Sequence, residues 1–258
     1  MLNFAMETAR EAGHILLEKF GGNIGISKKG DIDLVTEADL ASEAFIIEKI
    51  NTHFPQHSLL AEESGASAVS GDAEWKWIID PLDGTTNYAH GYPCFCVTMA
   101  LEHKGELVIG VSYDPTRDEL FSAEKHHGAS INNKRISVSK TNDLSEAMLV
   151  TGFPYDLSRR DHLASTFERF LLSSRAVRRD GSAAIDLAYV ACGRFDGFWE
   201  EGLNAWDVAA GVLMIKEAGG TCSSYDGSDL NIYSPPFCAS NGLIHNEMLE
   251  VLSAPAVS

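Results

Sequence analysis

The chain lacks the features that define several protein classes. Its five cysteines are an odd number without a Cys-x-x-Cys pair, which argues against a disulfide framework or a zinc ribbon and for a reducing compartment. No apolar run approaches the roughly 20 residues that a membrane-spanning helix needs. The first residues show no charged-then-apolar signal pattern, so we expect a cytoplasmic protein with no membrane partner.

Basic residues are also scarce. The chain carries 20 Lys and Arg residues against 37 Asp and Glu residues, for a formal net charge of −17. Because phosphate backbones require a basic surface, this balance disfavours nucleic acid as the main partner. Two common catalytic motifs are missing as well: the Gly-x-Ser-x-Gly elbow of serine hydrolases and the phosphate-binding loop of NTPases.

The composition that remains is globular, with 45% hydrophobic and 22% charged residues among 258. We find no linker, repeat or low-complexity segment, and we expect one domain over residues 1–258. Apolar periodicity predicts helices over residues 2–20, 40–54, 161–172, 182–191 and 205–218, and strands over residues 75–80, 96–101, 107–113, 119–123, 176–178 and 195–200. This mixture, with an antiparallel middle, indicates a layered α/β fold.

The most informative segment reads Trp-Ile-Ile-Asp-Pro-Leu-Asp-Gly-Thr-Thr-Asn, residues 77–87. An apolar strand delivers Asp80 at its end, and we expect Pro81 to stop the strand because it has no N–H to donate. Asp83 follows, and residues 84–87 are typical of a helix start, whose free N–H groups bind anions. Two carboxylates beside an anion site indicate a hard divalent cation such as Mg²⁺. The alternative is a turn in which Asp83 caps the next helix.

Two other acidic elements could also supply metal ligands, and each has a simpler structural alternative. Glu62 and Glu63 follow an apolar pair in Leu-Leu-Ala-Glu-Glu-Ser, where an exposed acidic loop is the alternative. Asp207 lies in the first turn of an apolar helix in Trp-Asp-Val-Ala-Ala-Gly, where stabilising the helix N-terminus is a sufficient reason for an acid. If carboxylates from all three elements meet at one site, they raise one another's pKa values, and bound metal ions relieve that repulsion.

Two weaker patterns compete with this interpretation. Asp31 and Asp33 resemble the nucleophile motif of haloacid-dehalogenase-type phosphatases, but the polar residues 27–30 precede them where that motif needs an apolar strand. His126 and His127 lie beside a predicted turn, with no Cys or other His at metal-ligand spacing, which favours a solvated loop.

Taken in order, the three acidic motifs resemble the inositol monophosphatase family of magnesium-dependent, lithium-sensitive sugar phosphatases. The resemblance extends over nearly the whole chain, including Leu-Val-Thr-Glu-Ala-Asp near the N-terminus and Glu-Ala-Gly-Gly after the Trp-Asp helix. It implies a layered α-β-α-β-α sandwich that forms a homodimer. It also implies an enzyme that hydrolyses the phosphate monoester of a small polyol or sugar, foremost inositol 1-phosphate, by direct attack of water on phosphorus.

The resemblance further implies a set of site residues. Two or three Mg²⁺ ions would be held by Glu62, Asp80, Asp83, Asp207 and the backbone carbonyl of Leu82. The catalytic residues would be Glu62 and Thr85, which position the attacking water, and Asp83. Substrate contacts would come from Leu82, Asp83, Gly84, Thr85, Gly181, Ser182, Ala183, Glu200 and Asp207. Within these sets Glu200 would accept a hydrogen bond from a substrate hydroxyl; Asp39 and Lys28 match supporting positions.

Several alternatives stay open at this stage. The paired Arg178 and Arg179 suit either an inositol phosphate or a second phosphate, as in fructose 1,6-bisphosphate, and nucleotide bisphosphates and histidinol phosphate are further candidate substrates. For Glu200, solvation at the end of a strand is the alternative. From other classes, a regulatory protein on a phosphatase fold conflicts with the intact set of acids, and a nucleic-acid-associated factor conflicts with the net charge of −17.

Overall fold

The computed structural model describes residues 1–22, 26–28, 34–67, 74–154, 160–234 and 236–254. Helices α1 to α7 span Leu2–Lys19, Glu37–His53, Thr85–Ala89, Arg160–Ser173, Ala183–Ala191, Ala205–Glu217 and His245–Ser253. Strands β1 to β8 span Ile26–Lys28, Leu34–Thr36, Ser58–Ala61, Gly65–Ser67, Trp75–Asp83, Cys96–His103, Glu106–Asp114 and Glu119–Glu124. Strands β9 to β15 span Gly128–Ile131, Lys134–Arg135, Met148–Thr151, Ala176–Arg178, Gly197–Glu200, Thr221–Ser223 and Phe237–Ser240, and a 3₁₀ helix spans Leu144–Glu146.

The strands form two large sheets. One has eight strands in the order β10-β9-β8-β7-β6-β5-β3-β4, antiparallel except for the β3–β5 pair. The other has five strands in the order β12-β11-β13-β15-β14, in which β11 runs parallel to both of its neighbours. Strands β1 and β2 pair separately as a two-stranded ribbon. The antiparallel middle of the chain is therefore confirmed.

The helices separate these sheets into layers. Helices α1 and α2 pack on one face of the eight-stranded sheet, and α6 packs on the other. Helices α5 and α6 lie between the two large sheets and contact one face of the five-stranded sheet. Helices α4 and α7 cover the other face of the five-stranded sheet. Fully buried apolar side chains fill each interface, such as Trp77 under α1 and α2 and Phe198 beside α6. The layers follow the predicted α-β-α-β-α order. Among the described helices, none combines the length and hydropathy that a membrane span requires.

Two element boundaries differ from the sequence-based expectation by three residues. Helix α2 begins at Glu37, three residues before the predicted start, because Thr36 and Asp39 form a capping box in which each side chain bonds the other's backbone. Strand β5 does not end at Pro81 but continues to Asp83. The register changes between Asp80, opposite Thr98, and Asp83, opposite Cys96, so Pro81 lies in a β-bulge where a ladder N–H is not required.

Candidate active site

The bulge in β5 decides where the two aspartates of this strand lie. Side chains three residues apart on a regular strand point to opposite faces of the sheet. Between Asp80 and Asp83 the strand has one more residue than its partner, which changes that alternation. The Asp80 Oδ1 atom accepts the Leu82 N–H at 2.9 Å, which fixes the tight turn of the backbone. As a result, both carboxylates reach the same cavity.

Asp207 joins these two residues from the first turn of α6. Its Oδ2 atom accepts the Asn204 N–H at 2.6 Å, in a capping box at the start of the helix. Carboxylate oxygens of Asp80, Asp83 and Asp207 all lie within 4.8 Å of one another. Asp207 therefore has both roles. It stabilises the N-terminus of α6, which was the simpler reason for an acid at this position, and it belongs to the acidic cluster.

The electrostatics of this cluster are unfavourable without a cation. Burial raises the pKa of Asp80 well above its ordinary value, and the neighbouring carboxylates raise it further. Burial also raises the pKa of Asp83 to about 6, although hydrogen bonds from Ser182 and Ala184 lower it. Burial is also the main reason that the pKa of Asp207 lies well above its ordinary value. Three ionised carboxylates at this spacing form a donor set of hard oxygens, which fits a divalent cation such as Mg²⁺ or Ca²⁺.

Glu62 lies at the edge of the cluster, in the turn that follows β3. Its backbone N–H donates to the Ile79 carbonyl at 3.2 Å, so the turn continues the parallel pairing of β3 with β5. Its side chain is half-buried, and a hydrogen bond to it contributes to the raised pKa of Asp80. An exposed acidic loop, the alternative for this motif, does not describe Glu62.

The segment after the acidic strand forms the short helix α3. Gly84 precedes it with a φ of 98°, and a Cβ at this position would lie 2.9 Å from the Cys94 carbonyl oxygen, so only glycine fits. The Thr85 hydroxyl lies 3.1 Å from Asp39 Oδ1 and 3.1 Å from the Leu82 carbonyl. Burial raises the pKa of Asp39, while its hydrogen bonds lower it. The predicted helix start is thus confirmed, and Asp39 contacts it directly.

The alternative for this motif was that Asp83 caps the helix that follows it, and the structure shows that it does not. Instead, its Oδ2 atom accepts the Ser182 hydroxyl at 2.5 Å and the Ala184 N–H at 2.7 Å, so it caps α5 from a distant part of the chain. The turn before α5 is held by Asn87, whose side-chain amide donates to the Asp180 carbonyl at 2.8 Å. These contacts bring residues 181–183 to the acidic cluster.

Glu200, at the end of β13, also lines this cavity. It is 8% exposed, so solvation at the end of a strand does not describe it. Burial raises its pKa well above the ordinary value; Asp207 adds to the rise and Arg179 opposes it. A Cβ on residue 152 would overlap the Glu200 carboxylate, so this carboxylate fits only because residue 152 is a glycine.

The cavity has a volume of about 170 Å³. Every residue that the family resemblance implied as a metal ligand, a catalytic residue or a substrate contact lines it: Glu62, Asp80, Leu82, Asp83, Gly84, Thr85, Gly181, Ser182, Ala183, Glu200 and Asp207. His126 lies elsewhere, on the turn after β8, where its backbone N–H donates to Glu217. Asp31 and Asp33 are outside the described residues, as is the side chain of Lys28.

Sequence reasoning missed other residues of the cavity wall. Asp186 is 1% exposed, burial raises its pKa well above the ordinary value, and its Oδ1 atom has no hydrogen-bond partner among the described residues. Its position in a helix of small apolar residues was the available signal. Phe153 and Pro154 also line the cavity but follow no recognisable motif.

Comparison with known proteins gives a consistent result. The model of the inositol monophosphatase family matches residues 1–256. An inositol-1-monophosphatase from Synechocystis is 46% identical over 255 residues, which is 98% of this chain and 88% of the relative. A Nus factor SuhB from Pseudomonas aeruginosa is 42% identical over 234 residues, 88% of this chain and 86% of the relative.

Solved structures agree in fold as well as in sequence. The structure of inositol monophosphatase from Anabaena superposes with a TM-score of 0.90 at 46% identity, and the match covers 99% of this chain and 96% of that one. Three findings agree on the family: the family model matches nearly every residue, relatives exceed 40% identity, and the layered architecture is shared. The chain therefore belongs to the inositol monophosphatase family.

Proposed function

We propose that the protein is a Mg²⁺-dependent phosphatase of small polyol or sugar phosphates, with inositol 1-phosphate as the leading substrate. The observation that supports this most directly is the cluster of Asp80, Asp83 and Asp207, whose carboxylate oxygens lie within 4.8 Å of one another in a cavity that also contains Glu200. Such a cluster suits cations that bind phosphate oxygens, and the Glu200 carboxylate is suited to accept a hydrogen bond from an alcohol group.

The cation is assigned to the acidic end of the cavity. Two or three Mg²⁺ ions would be held by Glu62, Asp80, Asp83, Asp207 and the Leu82 carbonyl. Mg²⁺ bound there would lower the pKa of an attacking water and neutralise charge on the leaving oxygen. Phosphoryl transfer depends mainly on positioning and charge neutralisation, so no covalent nucleophile is required.

The water is positioned by Thr85 and Glu62. When the Thr85 hydroxyl donates its only hydrogen to Asp39, its lone pairs accept a hydrogen from the water, and the Leu82 carbonyl is left free for the cation. Glu62 accepts the other hydrogen. Asp39 thereby sets the direction in which the Thr85 hydroxyl points, and this hydroxyl together with Glu62 would hold the attacking water.

The substrate is placed between the two ends. The backbone N–H groups of Gly84 and Thr85 would donate to phosphate oxygens, and residues 181–183 would line the sugar. Glu200 would accept a hydrogen bond from a sugar hydroxyl. The Ser182 hydroxyl already donates to Asp83, so its part in sugar binding is that of an acceptor.

The test is release of phosphate from a panel of sugar phosphates, with and without Mg²⁺. We expect Mg²⁺-dependent release, fastest from inositol 1-phosphate. A preference for fructose 1,6-bisphosphate would keep the reaction class and change the substrate. No release from any member of the panel at any Mg²⁺ concentration would reject the phosphatase and would favour a non-catalytic role. Several relatives are named Nus factor SuhB or putative Nus factor SuhB rather than phosphatase.

The proposal has four further parts. A homodimer and inhibition by Li⁺ rest on the family resemblance, whereas a single domain over residues 1–258 and a cytoplasmic location rest on the composition and patterning of the sequence. Sedimentation would measure the number of subunits, and phosphate release at rising Li⁺ would measure inhibition.

A further inference from the structure

One face of helix α2 bonds to three separate segments of the cavity. Asp39, Ser42 and Glu43 are spaced at i, i+3 and i+4, so they project from the same side of the helix. All three are buried, at 0%, 0% and 4% exposed. Asp39 contacts the Thr85 hydroxyl, as described above. The other two residues have no place in the proposed reaction, although both are polar and both are buried beside the site.

Glu43 bonds to the turn that carries Glu62. Its Oε2 atom accepts the Glu63 N–H at 2.9 Å. The preceding N–H, that of Glu62 itself, donates to the Ile79 carbonyl. Consecutive peptide groups of the turn are therefore held to two different elements, the helix α2 and the strand β5. A hydrogen bond to a carboxylate is stronger than one between neutral groups, so this contact restrains the turn effectively.

Ser42 bonds to the bulge between the two aspartates of β5. Its hydroxyl donates to the Pro81 carbonyl at 2.9 Å. This carbonyl belongs to the peptide that joins Pro81 to Leu82, and the N–H of the same peptide donates to Asp80 Oδ1, so the helix and the aspartate hold its two polar groups. A single turn of α2 thus restrains both the Glu62 turn and the bulge, the two backbone segments whose separation sets the distance between the Glu62 and Asp80 carboxylates.

We propose that Glu43 and Ser42 are positioning residues for the divalent cation. They contact neither cation nor substrate. They hold the backbone of Glu62 and of the bulge so that the acidic side chains converge, and the affinity for the cation depends on that spacing. This inference rests on the proposed function, because it assumes that the acidic cluster binds Mg²⁺.

The test is Mg²⁺ binding measured by titration calorimetry without substrate. Glu43→Met keeps the volume of the side chain and removes the acceptor, whereas Glu43→Gln keeps an acceptor oxygen. Loss of a partner that orients a ligand typically weakens metal binding by about 10–100-fold, and we expect this of Glu43→Met. Glu43→Gln should bind within about threefold of the native protein, because its amide oxygen still accepts the Glu63 N–H.

A second readout follows the bond itself. Exchange of the Glu63 amide hydrogen with solvent should be faster in Glu43→Met and unchanged in Glu43→Gln. At saturating Mg²⁺ the KM for substrate should stay near native, because Glu200 and residues 181–183 are not held by α2. Ser42→Ala is an independent variant, and it should also weaken Mg²⁺ binding, whether or not Glu43→Met folds.

Glu102 supplies a matched control. It too is a buried glutamate, at 7% exposed, but its carboxylate accepts hydrogen bonds from Lys76 at 3.0 Å and from Tyr233 at 2.7 Å. Lys76 lies near the start of β5, at the other end of that strand from the bulge. Glu102→Met should reduce stability and leave Mg²⁺ affinity within about twofold, as for residues that share no partner with the site. Equal Mg²⁺ binding by the native protein, Glu43→Met and Ser42→Ala would overturn the positioning role alone. Absence of Mg²⁺ binding by the native protein would overturn the proposed function with it.

Discussion

The Ser182 hydroxyl lies 2.5 Å from Asp83 Oδ2, although 99 residues separate these two positions in the chain. The same oxygen accepts the Ala184 N–H, so one carboxylate of the acidic cluster also satisfies the first N–H groups of α5. The substrate side of the cavity is thereby joined to its acidic side through a single residue. The charge of Asp83 and its capacity to accept hydrogen bonds are separable by mutation.

Asp83→Asn should give a folded protein with little activity. The amide oxygen still accepts from Ser182 and Ala184, so the start of α5 is retained, but one negative charge of the cluster is lost. We expect phosphate release to fall by at least ~10²-fold, the scale of removing one charge-stabilising group. The measurement is turnover at saturating Mg²⁺, with circular dichroism as the check on folding.

Ser182→Ala is the control for this change, because it removes the hydrogen bond and keeps the charge. It should cost about 1.5–3 kcal/mol of stability, the range for a hydrogen bond to a charged group, and affect turnover at saturating substrate much less. Turnover of Asp83→Asn near the native value at saturating Mg²⁺ would contradict the role of Asp83 as a metal ligand.

Glu200→Gln should discriminate between substrates. A buried acceptor that bonds a substrate hydroxyl has no partner when the substrate lacks that group. We therefore expect kcat/KM for inositol 1-phosphate to fall by about 1.5–3 kcal/mol, the range for a hydrogen bond to a charged group, and kcat/KM for an aryl phosphate to change little. Equal losses on both substrates would assign Glu200 to the metal cluster or to the fold instead.

Arg178 and Arg179 should differ although they are neighbours. Both arginines are exposed, but Arg179 lines the cavity, with its guanidinium 5.9 Å from the Phe153 ring centroid. Arg178 does not line the cavity, and its side chain donates to the Val177 carbonyl. We expect Arg179→Ala to reduce kcat/KM about tenfold for a substrate with an anionic group beyond the reacting phosphate, as loss of one charged hydrogen bond does. Arg178→Ala is the matched control and should remain near native. The assay compares fructose 1,6-bisphosphate with inositol 1-phosphate, and identical profiles for the two variants would refute the distinction.

His57 should make the stability of the protein depend on pH. Its Nδ1 atom accepts the indole N–H of Trp77 at 3.1 Å, which requires a neutral ring, and burial lowers its pKa from the ordinary 6.5. Below pH 6.5 the unfolded chain takes up a proton that the folded chain does not, so the contribution of His57 is present above this pH and is lost as the pH falls towards the lowered value.

The measurement is urea unfolding of the native protein and of His57→Gln between about pH 5 and pH 8, the range in which histidine titrates. The variant keeps an acceptor for Trp77 and cannot titrate, so its free energy of unfolding should fall less steeply towards acid. The buried acids of the cavity have raised pKa values and act in the opposite direction, but equally in both proteins. Parallel curves would show that His57 makes no such contribution.

Much of this protein follows from local sequence. The spacing of apolar residues predicts α1, the antiparallel strands β6 to β8 and the helix α6, because periods of 3.6 and 2 residues are properties of single elements. The order of the acidic motifs predicts which carboxylates belong to the cavity. Both kinds of information are contained in short stretches of chain, and no packing is needed to read them.

Tertiary structure decided the remainder, because it depends on contacts between distant segments. Pairing of β5 with β6 places the bulge between Asp80 and Asp83, and only the bulge directs both carboxylates to one side. Packing of α2 against β5 brings Glu43 to the Glu63 amide. The approach of the start of α5 to the end of β5 makes Asp83 the cap of a helix that begins far along the chain, and only the tertiary structure places Arg179 but not Arg178 in the cavity wall. A residue's neighbours in space are set by how sheets and helices stack, which no local periodicity encodes.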